Sequence, residues 1–223
     1  MTFDFRQQFT AAAAYDDRHF AAFLLAADPL AAKLKALQRE QLIAGALQCG
    51  TASAQQLNER YAATPPSEIA RRLGIKIVAG EPATARLVLS SYDSGAAAIM
   101  LNRGLIAKLK QCLAEEPLLP PFDPEELAVS HELFHVLEAR DAAIFTRCFK
   151  TTLWRLGPLQ YRSPVLAASE IAATACAKAI CRLSFNPILL EPLILRCSSA
   201  ERAQDWFARL MLTSESRANS FSG

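Results

Sequence analysis

The pattern of apolar and polar positions changes kind twice along the chain. Over residues 3–27 apolar side chains recur at spacings of three and four among many alanines, which predicts a helix ended by Asp28-Pro29. A second helix is expected over about 29–48, with Pro29 near its first turn, a polar face of Lys33, Lys35, Arg39 and Glu40, and Gly50 just past its end. A third, over 52–62, completes an N-terminal helical segment, 1–63, before the break at Thr64-Pro65-Pro66-Ser67. Residues 67–74 then read as a short amphipathic helix closed by Gly74.

From there alternation takes over. Ile75-Lys76-Ile77-Val78 reads as a strand, and two more are expected at 85–91, around Leu87-Val88-Leu89, and at 97–101, joined by the turn-like Asp93-Ser94-Gly95. Three short strands close in sequence predict a small antiparallel or mixed sheet. Taken alone, residues 67–75 could open a helix-turn-helix, but the strand that follows and the lack of a recognition helix argue against a DNA reader.

Helical spacing returns over 104–115. After a loop at 117–121, Asp123-Pro124-Glu125-Glu126 has the form of a helix start: Asp as N-cap, Pro at the first position, and Glu at the third completing a capping box. Further helices are expected over 164–177, opened by Ser163-Pro164, over 188–195, and from Ser198 or Ser199 to about 212. Residues 213–223, rich in Ser and without apolar period, are expected as a flexible tail. The fold class implied is α+β: a mostly helical domain over 64–182 with a three-stranded sheet, flanked by N-terminal helices and by C-terminal helices, 183–212, that cover its core.

Composition narrows the class of partner. The chain has 223 residues, a net charge of +2, 21% charged residues and 52% apolar ones, so it can bury a sizeable core and has no basic excess to suit nucleic acid. Six cysteines are scattered without a C-x-x-C pair or a framework spacing, and are expected to be reduced, as in a cytoplasmic protein. The apolar patch at 20–27 follows Asp16-Asp17-Arg18 rather than a basic leader and is too short to span a bilayer, so neither export nor a membrane partner is expected.

The candidate chemistry lies in the helix that Asp123 opens. His131-Glu132-Leu133-Phe134-His135 has the form H-E-x-x-H, which puts two imidazoles one turn apart on one helix face, where both can ligate one metal ion, usually zinc, with the glutamate between them placed as a general base. Two histidines do not complete such a site, and the only other one is His19, so the third ligand should be a carboxylate. Glu138 is about two turns, or 10 Å, from His131 along the same helix, too far to share an ion with both histidines. Asp141 would need a sharp turn where the chain has Glu138 instead of Gly. Glu170 is preferred, as the one charge on an otherwise apolar helix from 164 to 177, where a buried carboxylate calls for a cation. Thr174, one turn further, could hydrogen-bond a ligand. Tyr92, Tyr161 and Arg162 are candidates by type for stabilising an oxyanion.

In order, "SEIARRLGIKIVAGE", three strands, "LAVSHELFHVLE" and "SEIAATACA" over about 66–182 resemble the ImmA/IrrE-type zinc metallopeptidases. The resemblance implies a zincin-like fold, zinc held by His131, His135 and Glu170, and Glu132 as general base. Phe134 stands where the family usually has Gly, and Thr174, Cys176 and Ala172 where it has Asn, Phe and a second Glu. It further implies a cytosolic regulatory role, with a helix-turn-helix repressor or an antitoxin as protein substrate. A zinc-binding sensor or scaffold with little or no peptidase activity, and a helical interaction protein without metal, are the rival expectations.

Overall fold

In the computed structural model of the chain, residues 3–80, 88–157 and 159–220 are described, the side chains of 214–220 excepted. The fold is α+β and mostly helical. Its order is α1 (Phe5–Ala13), α2 (Asp17–Ala26), α3 (Ala36–Arg60), α4 (Pro66–Arg72), β1 (Lys76–Ala79), β2 (Ser90–Asp93), β3 (Ala98–Leu101), α5 (Arg103–Glu115), α6 (Pro124–Arg140) and α7 (Phe145–Cys148). There follow β4 (Lys150–Leu156), β5 (Leu159–Pro164), α8 (Leu166–Ile180), α9 (Leu190–Arg196) and α10 (Ala200–Ser220).

The element that everything packs around is α6. Its apolar residues point in nearly every direction, as expected of a helix enclosed on all sides. Leu127 joins a cluster of α1, α2, α5, α9 and α10 around the fully buried Trp206. Phe134 joins α2, α3 and α8, and Val129, Leu133 and Val136 pack on α4 and the sheet. The N-terminal helices are therefore walls of the same core. Asp123 caps α6 through Oδ1, which accepts from Glu125 N at 2.8 Å and Glu126 N at 3.4 Å. The expected capping box does not close, because the Glu126 carboxylate accepts from Ser67 N at 2.9 Å and Ser67 Oγ at 2.6 Å and so ties the start of α4 to α6.

Four helix boundaries differ from expectation, two of them because of residues distant in sequence. The first helix is two, since the Asp16 carboxylate accepts from His19 N at 2.8 Å and starts α2 afresh. Conversely, the second and third helices are one: α3 runs through Gly50, where a Cβ would stand 2.1 Å from the Ala172 carbonyl oxygen. The glycine serves the close approach of α8 rather than ending a helix. Ser163 and Pro164 belong to β5, and α8 starts at Leu166 with Asp28 as its distant cap: Oδ2 accepts from Ala167 N at 2.8 Å, while Oδ1 accepts from Leu30 N at 2.7 Å. At the C-terminus α10 continues to Ser220, past the expected end near 212.

The sheet is mixed, with order β1-β3-β2: β1 lies parallel to β3, and β2 antiparallel, pairing Ser90 with Leu101 and Tyr92 with Ile99. Among the described residues β2 is thus an edge strand. Residues 81–87, where the first three positions of the second expected strand fall, lie outside the described residues; the observed strand β2 begins at Ser90, near the end of the expected one. The β4–β5 hairpin was not expected, although Trp154-x-Leu156 and Leu159-x-Tyr161 alternate on either side of Gly157, which has φ +56°. Cys112 on α5 and Cys197 after α9 are joined in a disulfide, which corrects the expectation that all six thiols are free. Among the described residues no helix is long and apolar enough to cross a membrane.

Candidate metal centre

The four-residue spacing on α6 brings the two imidazoles together as expected. His131 Nε2 and His135 Nε2 are 3.3 Å apart. Glu170, in the second turn of α8, reaches both: Oε2 is 3.4 Å from His131 Nε2, and Oε1 is 3.8 Å from His135 Nε2. One ligand atom from each of the three lies within 4.8 Å of the others, so the group could hold a metal ion. Two nitrogens facing each other at this distance repel through their lone pairs unless a proton or a cation stands between them, and the donor set therefore fits a cation. The Glu170 side chain is 54% exposed, not buried as its apolar helix suggested, because the helix turns that position toward an open cleft while its neighbours Ile171 and Ala172 pack inward.

The back of His135 is held by residues to which spacing alone gave no partners. Its Nδ1 lies 3.2 Å from Ser169 Oγ and 3.4 Å from Glu138 Oε2, and Ser169 Oγ donates to Glu138 Oε2 at 2.6 Å. Thr146 Oγ1, on α7, donates to the other Glu138 oxygen. With the proton on Nδ1, the free lone pair of Nε2 faces the cluster. Burial pulls the His135 pKa down, but the hydrogen bond with Glu138 and the charges of Glu170, Glu132 and Glu138 outweigh it and hold the pKa above the ordinary histidine value. Burial likewise pushes Glu138 up, and its hydrogen bonds with His135, Ser169 and Thr146 bring it below the ordinary carboxylate value. Glu138 is thus the carboxylate behind His135 and not a third ligand. Asp141 is not one either: it ends α6, and its Oδ1 accepts from Ala143 N at 2.8 Å.

Glu132 is buried, and its Oε1 accepts from Ser90 Oγ at 2.7 Å. Ser90 opens β2, so the sheet edge holds the carboxylate that α6 supplies. No sequence spacing announces this link across 42 residues; it appears only once β2 is laid on α6. The cluster opens into a cavity of about 1000 Å³ among the described residues, lined by His131, Glu132, Glu170, Thr174 and the β2 residues Ser90 and Tyr92. Tyr92 alone of the oxyanion candidates lines it. Tyr161 stacks on Trp154 in the hairpin, and Arg162 donates to the Lys150 carbonyl at 2.9 Å.

No protein-family model, curated protein or solved structure matches this chain.

Proposed function

We propose that the protein is a zinc-dependent metallo-endopeptidase of the cytoplasm, acting on a regulatory protein such as a helix-turn-helix repressor or an antitoxin, as the resemblance to ImmA/IrrE-type peptidases implies. The observation that carries this reading is the convergence of His131, His135 and Glu170 beside the carboxylate of Glu132. Zinc suits two imidazoles, one carboxylate and an open fourth position. The candidate ligand atoms stand 3.3 Å apart between the two Nε2 atoms, 3.4 Å from His131 Nε2 to Glu170 Oε2 and 3.8 Å from His135 Nε2 to Glu170 Oε1, near enough that these three residues would hold one ion. When bound, zinc supplies Lewis-acid polarisation of the scissile carbonyl and lowers the pKa of water.

The chain's own groups do the rest. Glu132 takes the proton of the attacking water and passes it to the leaving amine. Ser90 occupies one oxygen of that carboxylate and leaves the other for the proton. The outer edge of β2, unpaired among the described residues, suits a substrate laid down as an added extended strand, with the scissile bond brought over His131 and Glu132.

The test uses the zinc-loaded protein with helix-turn-helix repressors and antitoxins offered as substrates. Glu132→Gln should keep one zinc per chain and lower cleavage by about 10²- to 10⁴-fold. Undiminished hydrolysis by this variant would end the reading.

A further inference from the structure

Among the described residues, the β4–β5 hairpin carries the densest group of exposed large apolar side chains. Trp154 is 53% exposed, Leu156 71%, Leu159 64% and Tyr161 54%. The register pairs Leu156 with Leu159 next to the turn and Trp154 with Tyr161 one rung back, so all four lie on one face of the ribbon. The aromatic rings stack with centroids 6.1 Å apart. Behind them come the cations Arg162 and Lys150 near the base; Arg155 lies between the two apolar pairs, on the opposite face against Gln160. Residues 142–169 contain four basic side chains, Arg147, Lys150, Arg155 and Arg162, and no carboxylate.

We propose that this hairpin seats the protein on an anionic lipid surface. The order along the ribbon is aliphatic tip, aromatic pair, cationic base, which is the order of acyl chains, interface and phosphate headgroups met on entering a leaflet. Successive same-face pairs are about 7 Å apart along the strands, so the Leu pair enters the acyl boundary while the Trp–Tyr pair stays at headgroup level, within the about 5–10 Å depth of interfacial elements. A groove for a protein segment would be concave and would alternate apolar and polar contacts; this face is an exposed two-stranded ribbon with four large apolar side chains side by side. The expectation of no membrane partner rested on spanning length, which does not bear on a hairpin lying in the interface.

Sedimentation of the full chain with phosphatidylcholine vesicles, with and without one third phosphatidylserine, tests this. Binding should be about tenfold or more tighter to the anionic vesicles and weaken with added salt. It should be lost in the Leu156→Asp/Leu159→Asp variant, whose substitutions are at exposed positions and leave the circular dichroism and Tm unchanged. Tryptophan emission should move to shorter wavelength on binding, and not in Trp154→Phe, since the remaining Trp206 is already buried. A protein that stays in solution with anionic vesicles, a double variant that sediments like wild type, or a self-association that the same substitutions dissolve would each overturn the proposal.

Discussion

In the proposed reaction, the base Glu132 depends on one hydrogen bond. The carboxylate is buried beside the cluster, and Ser90 fixes the orientation of one of its oxygens. Ser90→Ala should leave zinc content unchanged and lower kcat by about tenfold or more with little change in KM, since a hydrogen bond to a charged group is worth about 1.5–3 kcal/mol. A KM effect with kcat intact would place Ser90 in substrate binding instead. His135 sets the pH dependence. A metal ion bound there would have to displace the proton that the surrounding carboxylates favour, so under the proposed function zinc affinity should fall as pH drops through the raised His135 pKa. Calorimetric titration should give tighter binding at about pH 8 than at about pH 6, with proton release on binding; a pH-independent affinity would contradict this. His131, Glu132 and His135 were legible because a metal motif within one helix is local. Glu170 was legible as the one charge on an apolar helix, although the inference that it is buried was not correct. Ser90 and Ser169 were not, because their partners are set by how β2 and α8 lie on α6.

Among the elements, the contact of α3 with α8 is what places Glu170 over the histidines. Gly50 permits it, and Gly50→Ala would press a methyl group into the Ala172 backbone. The loss of stability should be about 1–3 kcal/mol by denaturant titration, despite the better helix propensity of Ala. A stabilised variant would show that the two helices can separate without cost. Here the sequence misled in an instructive way: a glycine between two helical stretches resembles a C-terminal cap, and only the partner helix reveals that it marks a close approach. Asp28 is the same case from the other side. It reads as a helix breaker beside Pro29, yet in the fold it also caps a helix that starts 138 residues later. Element type was legible from periodicity, whereas ends decided by distant side chains were not. The hairpin's alternation was present but unaccompanied by any buried face, which is the usual mark of a strand.

For the whole molecule, three apolar clusters share α6, so the helix that carries the histidines is also the one least free to move. Glu170 comes from a separate helix and faces solvent, so it is the member of the candidate metal group that can be removed without disturbing the core. Zinc stoichiometry in purified wild type and Glu170→Ala, both refolded spectra being equal, is therefore the most direct measurement. The account predicts one tightly held zinc per wild-type chain and loss of tight binding in the variant. Equal zinc content and affinity in both would contradict it.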